Sequence, residues 1–116
     1  MSVESEKSRI KVSIDKLAYL RNGWDGMDAL PVSKSVINNI ESSIRISKNN
    51  DWHSWNIEPN INGTIIIRRD NAAISLGATS FSYYFKVGIN IGGQNQITFS
   101  PDAIIATIRF INEQCG

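Results

Sequence analysis

A single cysteine, Cys115, and a single histidine, His53, are all that the chain holds of the two side chains most used for metal ligation and nucleophilic catalysis. One thiol cannot close an internal disulfide, and one thiol with one imidazole cannot complete a zinc site built from Cys and His alone. Charge of one sign is scarce as well. Twelve Lys and Arg stand against eleven Asp and Glu, a formal net charge of +1, and the basic residues are spread along the chain. Without a basic excess there is little counterion release to drive binding to nucleic acid, which is therefore disfavoured as a partner. Long hydrophobic runs are missing: charged or amide residues interrupt every apolar segment well short of the roughly 20 residues a membrane-crossing helix needs. The opening Met1–Val12, with Glu4, Glu6, Lys7, Arg9 and Lys11, has no apolar stretch of the about 7–15 residues found in secretory signals. The expectation is a cytoplasmic protein with no membrane partner.

What is present is enough for one domain, residues 1–116, since domains of this size bury about two-thirds of the surface of the unfolded chain. Isoleucine is the commonest residue, Asn and Ser are abundant and leucine is scarce, a usage typical of AT-rich coding sequences that points to a bacterial or phage origin.

Periodicity divides the chain into helical and extended parts. Ile10, Ile14, Leu17 and Ala18 fall on one face of a 3.6-residue helix that starts near Ser5 and stops at Arg21-Asn22-Gly23. A connector with two glycines and a proline, Gly23 to Val32, leads to a second helix capped by Ser33 or Ser35, with Val36, Ile37, Ile40 and Ile44 as its stripe and Lys48-Asn49-Asn50-Asp51 as its end. From Trp55 the period changes to 2. Trp55 and Ile57 alternate with Asn56 and Glu58, Asn62-Gly63 and Asp70-Asn71 offer turns, and Gly92-Gly93 is expected to reverse the chain into Ile97-Thr98-Phe99. Ser100-Pro101-Asp102 starts a last helix with Ile104, Ile105, Ile108 and Ile111 on its buried side. The pattern predicts an α+β fold, a two-layer sandwich of two N-terminal helices, a four- or five-stranded antiparallel sheet and a C-terminal helix.

Alternation also predicts which face is left over. With Ile65, Ile67, Ile74, Leu76, Phe81, Tyr83, Phe85, Val87, Ile97 and Phe99 facing the helices, Thr64, Ile66, Arg68, Ser75, Ser82, Tyr84, Lys86 and Thr98 face outward. Ile66, Arg68, Tyr84 and Lys86 form the candidate partner surface, because aromatic, arginine and apolar side chains of this kind anchor interfaces; an open sheet also has edges that accept a strand.

Catalytic chemistry is thinly represented. His53, the only histidine, is read as a loop residue packed against a neighbouring indole, and Cys115 as an idle thiol on a frayed end. Asp25 and Asp28 are the carboxylates nearest each other in the connector, but two carboxylates are fewer oxygens than hard cations require, so no metal and no cofactor is expected. An Asp before Gly26 holds a turn by accepting a backbone N–H, which makes Trp24, Asp25, Gly26 and Asp28 a structural connector first and a ligand site second, with Trp24 as its plug onto the core. Neither Gly23-Trp24-Asp25-Gly26 nor Gly88-Ile89-Asn90-Ile91-Gly92-Gly93 has a phosphate-binding spacing. Arg68-Arg69 with Tyr83-Tyr84 is a faint base-stacking pattern, but neighbouring strand residues point to opposite faces.

The connector reads Leu20-Arg21-Asn22-Gly23-Trp24-Asp25-Gly26-Met27-Asp28-Ala29-Leu30-Pro31, followed later by Pro59-Asn60-Ile61-Asn62-Gly63-Thr64 and Tyr83-Tyr84. In these stretches the chain resembles a family of small, uncharacterised bacterial proteins with a Leu-x-x-Gly-Trp-Asp-Gly-x-x-Ala-x-Pro connector. Met27-Asp28 stands where a Tyr-Gly or similar pair is common there, and Arg68-Arg69 ends a strand that is often acidic. The resemblance implies the order of elements and no activity; such genes look like accessory cargo of bacterial genomes, which implies a partner-binding role.

The favoured expectation is a small non-enzymatic protein-binding module, antitoxin- or immunity-like, docking through the outer sheet face or a sheet edge onto another protein, with self-association through an edge as a further expectation. The alternatives are a small-molecule-binding protein or hydrolase built on Trp24, Asp25 and Asp28, or a weak nucleic-acid binder using Arg68 and Tyr84.

Overall fold

The computed structural model describes residues 5–115. Three helices, α1 (Glu6–Ala18), α2 (Lys34–Ile46) and α3 (Pro101–Cys115), accompany five strands, β1 (Asn56–Pro59), β2 (Ile65–Arg69), β3 (Ala72–Leu76), β4 (Ser80–Val87) and β5 (Asn90–Thr98). The strands form one antiparallel meander in the order β1-β2-β3-β4-β5. Short connections make this topology economical, since each strand pairs with the one just completed.

Each helix begins where a side chain satisfies an N–H that the helix leaves free. Ser5 accepts from the backbone of Ser8 at 3.0 Å, Ser33 from Val36 at 3.3 Å and Ser100 from Ala103 at 3.0 Å. The stripes meet in one core: Ile10, Ile14 and Leu17 of α1, Val36, Ile40 and Ile44 of α2, and Ile104, Ile105, Ile108 and Ile111 of α3 pack with Ile65, Ile67, Ile74, Leu76, Phe81 and Phe85 of the sheet. Tyr83, Val87, Ile97 and Phe99 close its margin. Ala18 departs from the expected stripe and is exposed, the last residue of the helix before its C-cap, Tyr19.

Between α2 and β1 a short 3-10 turn, Asn49–Trp52, lets two tryptophans three residues apart both reach the core. Ser54 takes a left-handed conformation (φ 71°) and the N–H of Trp55 returns to the Trp52 carbonyl at 3.0 Å, so the chain folds back and both indoles point inward. Their N–H groups, which burial would otherwise strand, donate to Ser47 Oγ at 2.7 Å and Asn112 Oδ1 at 2.8 Å. His53, between them, points out instead of packing on an indole; its Nδ1 lies 3.3 Å from Glu6 Oε2. Beneath it Asp51 is buried, and Arg109 of α3 grips both its oxygens at 3.0 Å while the Lys48 N–H adds a third bond at 2.8 Å. Burial alone raises the carboxyl pKa, but the bonds and charge of Arg109 and the Lys48 N–H outweigh it and hold Asp51 below the usual carboxylate range.

The Gly92-Gly93 pair does not reverse the chain. The reversal is one step earlier, at Gly88-Ile89, where Gly88 has φ 60° at the first central position, the place a type II′ hairpin turn reserves for glycine. Gly92 and Gly93 run inside β5 because there is no room for side chains. A Cβ on Gly92 would stand 2.5 Å from the Phe85 ring, and one on Gly93 2.7 Å from the Tyr83 carbonyl oxygen. A bulge follows, with the register against β4 shifting between Phe81 and Tyr83, Gln96 at φ 53° and its N–H on Ser82 Oγ at 3.2 Å. Cys115 is likewise not a frayed residue: it ends α3 half-buried against the core.

Candidate functional site

The cross-strand register sets out the outer face in rows. Asn56, Arg68, Ala73, Tyr84 and Gly93 lie side by side from β1 to β5; Glu58, Ile66, Ser75 and Ser82 form the next row, and Lys86 pairs with Ile91. Ile66, Arg68, Tyr84 and Lys86 are thus on one face, as alternation requires. They are not adjacent: β3 runs between their two strands, and its contribution to the long row is the small Ala73. Arg68 and Tyr84 therefore stand two strand spacings apart, about 10 Å, over a floor that is only a methyl group high. The result is a cleft of about 300 Å³ lined by Ser54, Asn56, Glu58, Arg68, Ala73 and Tyr84 and, toward the β2–β3 turn, by Arg69, Asp70 and Ala72.

The walls of that cleft differ in character. Arg68 is half-exposed and its Nε is 3.1 Å from Glu58 Oε2, an ion pair across β1 and β2 that holds the guanidinium over the sheet but adds little stability in water. Tyr84 is 57% exposed, a large side chain with no layer above it. Arg69 turns the other way. Its guanidinium donates to Asn112 Oδ1 at 2.8 Å and lies 5.7 Å from the Trp55 ring centre, so it ties β2 to α3. Adjacent arginines in sequence thus serve different layers, and the faint base-stacking pattern keeps one arginine and one tyrosine on the outer face. A face so arranged can receive a flat or aromatic group between Tyr84 and Arg68 and oppose acidic groups with Arg68 and Lys86.

The connector is built differently. Asp25 Oδ1 accepts from the backbone N–H groups of Met27 at 2.9 Å and Ala29 at 3.2 Å, while the Gly23 N–H reaches the Ala29 carbonyl at 2.7 Å. Gly23 (φ 73°) and Gly26 (φ 85°) supply the left-handed corners of this loop. Trp24 is half-buried beside it and its Nε1 donates to the Leu30 carbonyl at 2.7 Å; the buried residues of the connector are Ala29 and Val32. Asp28 is exposed. The loop is then clipped to the β1–β2 turn by the Leu30 N–H on the Ile61 carbonyl at 2.8 Å and the Ser33 N–H on the Gly63 carbonyl at 3.0 Å. Two of the three stretches quoted for the resemblance, the connector and the Asn60–Thr64 turn, thus lie against each other. A third place, a groove of about 260 Å³ between α1 and α2, is rimmed by Lys11, Asp15, Glu41 and Arg45 over Ile14 and Ile44.

Among the described residues no group of three or more His, Cys, Asp or Glu is placed to hold a metal ion. No helix among the described residues is long and apolar enough to cross a membrane. Ala73, Asn56 and Glu58 complete the cleft without having been singled out in the sequence. The outward direction of Asn56 and Glu58 was readable from alternation, whereas the closeness of Ala73 to Arg68 and Tyr84 depends on register. Comparison with known protein families, curated proteins and solved structures gave no match to this chain.

Proposed function

We propose that this protein is a non-enzymatic protein-binding module that docks a partner on the outer face of its sheet. The observation that carries the reading is the Arg68–Ala73–Tyr84 row, a ready-made slot between two side chains of the types that dominate interface energetics, on a face that the helices leave open. The slot is framed by strands, so a partner side chain entering it meets groups that are already positioned, which lowers the entropic cost of binding. Arg68 is already paired with Glu58, and Asp70 lines the same cleft, so the slot favours an aromatic group of the partner over a charged one. The connector fits the same reading, because Asp25 Oδ1 holds the loop by accepting from two backbone N–H groups, the structural use of such a carboxylate.

A photo-activatable side chain at position 68 tests this in the cells that make the protein. The expected result is a covalent adduct with one discrete protein, absent when the same group is placed at the helix-face residue Lys11 and lost on Tyr84→Ala with folding intact. An adduct profile at position 68 no different from that at position 11 overturns the proposal. For the antitoxin- or immunity-like form of the reading, the adduct is the product of an adjoining gene.

A further inference from the structure

The two edges of the sheet are unlike. β1, at one edge, is four residues long, contains Glu58 and ends in Pro59; Arg9 of α1 reaches across it to Asn56 Oδ1 at 3.0 Å and the Trp52 carbonyl at 3.0 Å. Short length, charge, proline and a covering element are the devices by which folded proteins keep an edge from pairing. β5, at the other edge, is nine residues long, Asn90-Ile91-Gly92-Gly93-Gln94-Asn95-Gln96-Ile97-Thr98, without a charge or a proline, and none of its residues is buried. Of the helices, α1 packs against β1, and α3 packs against β4 with Phe110 on Phe85, beside β5. Only the bulge at Gln96 interrupts β5, which leaves Asn90–Asn95 straight.

We infer that β5 pairs antiparallel with β5 of a second copy of this chain, about a two-fold axis at Gly92, so that two sheets join into one. The strand is self-complementary in that register. Opposite residues then sum to 184: Gly92 faces its own copy, Ile91 faces Gly93 and Asn90 faces Gln94. Ile91 is 69% exposed on the outer face, and Gly93, without a side chain of its own, pairs with Tyr84. Each copy's Ile91 then stands opposite the other's Gly93 and packs toward its Tyr84 ring, twice over by symmetry. On the inner face, Asn90 and Gln94 pair their amides. There too the Phe85 ring occupies the space over Gly92, so the register sets two such rings beside the axis, each with its T-shaped partner Phe110, itself 42% exposed. An uncharged strand meets its own copy without like-charge repulsion, the condition that charged edges fail.

The size of the contact sets its strength. In this register five residues of each copy pair, Asn90–Gln94, a stretch of about 17 Å at ~3.4 Å per residue. With Ile91, Tyr84 and Phe110 the buried area is roughly 600 Å² over both copies, the size of a weak, transient association. The expected dissociation constant is about 0.1–1 mM. This pairing shares Tyr84 with the outer-face slot but not Arg68, so the two readings are told apart by Ile91→Lys, which is expected to weaken self-association and leave the adduct at position 68 unchanged.

Sedimentation of the full chain across a concentration series from about 10 μM to about 2 mM tests it, with dimerisation expected in the upper decade on the area argument. Ile91→Lys is expected to weaken association at least about tenfold with an unchanged circular dichroism spectrum, because Ile91 is exposed in the single copy. In a Cys115→Ser background, Asn90→Cys with Gln94→Cys is expected to oxidise to a covalent dimer, and Asn90→Cys with Asn95→Cys, whose side chains take opposite faces, is not. A monomer throughout the series overturns the inference. So does a dimer that Ile91→Lys leaves intact or that the 90/94 pair fails to trap, and so does a strand of a different protein captured on β5 by a monomer.

Discussion

Glycine 92 offers a sharp test of the packing on which β5 depends. Replacing it by alanine places a methyl group 2.5 Å from Phe85 Cε1 and 2.7 Å from Cζ, closer than real Cβ contacts. The ring has little freedom to yield, being 5% exposed and braced edge-on by Phe110 at 5.6 Å between centroids. Overpacking of this kind costs about 1–3 kcal/mol, whereas removing a glycine from a strand interior by itself gains roughly 0.5–1 kcal/mol. Gly92→Ala is therefore expected to destabilise by about 1–2 kcal/mol. Phe85→Leu lacks both offending ring atoms and is expected to cost about 1–2 kcal/mol through lost burial, less than a truncation to alanine. In that background Gly92→Ala becomes neutral or stabilising, so the double-mutant cycle shows a coupling of about 1.5–3 kcal/mol. Urea unfolding followed by tryptophan fluorescence measures all four proteins. The concentration is kept low and constant so that association does not add to apparent stability. A destabilisation by Gly92→Ala of the same size in both backgrounds would refute the reasoning, because the penalty would then arise from the backbone and not from the Phe85 ring.

Three further perturbations separate charge, capping and burial. Asp51→Asn keeps the size of the side chain and removes the charge that Arg109 grips; since Arg109 is half-exposed, the loss is about 1–3 kcal/mol at neutral pH. The pKa of Asp51 is lowered in the folded state, so its contribution is complete above the unfolded carboxylate pKa near ~3.9 and disappears as pH falls through the folded value. Melting curves of the two proteins should accordingly differ at pH 7 and converge in strong acid, and a gap that stays constant with pH contradicts the assignment. In the connector, Asp25→Asn retains an acceptor for the Met27 and Ala29 N–H groups and is expected to cost less than ~0.5 kcal/mol, against about 1 kcal/mol for Asp25→Ala; equal effects in denaturation would show that the acceptor does not matter. Ser47→Ala strands the buried Trp52 indole N–H and is expected to cost about 1–3 kcal/mol, with a shift in tryptophan emission reporting the lost bond; an unchanged unfolding midpoint would count against that bond.

The places where sequence reading and structure diverge share a physical cause. Gly-Gly is a common reversal, and nothing local distinguishes Gly88-Ile89 from Gly92-Gly93; the choice is made by the Phe85 ring, which comes from another strand and takes the space above Gly92. His53 looked like a packing partner for the tryptophans beside it, but the left-handed turn at Ser54 sends both indoles inward and leaves the imidazole with Glu6. The cleft is of the same kind. Alternation alone separates Arg68 from Arg69 and Tyr84 from Tyr83, yet the slot exists because Ala73 is the residue that register sets between Arg68 and Tyr84.

By itself the sequence determined what depends on short-range order: three helices with serine caps, the change from period 3.6 to period 2 at Trp55, the apolar face of the sheet and the α+β class. Those are local consequences of hydrophobic spacing and backbone preference. Tertiary structure alone decided which residues far apart in the chain meet: Asp51 with Arg109, the connector with the β1–β2 turn, Phe85 with Gly92. It also decided that β1 is guarded and β5 bare, because an edge exists only once the order of strands and the position of the helix layer are set.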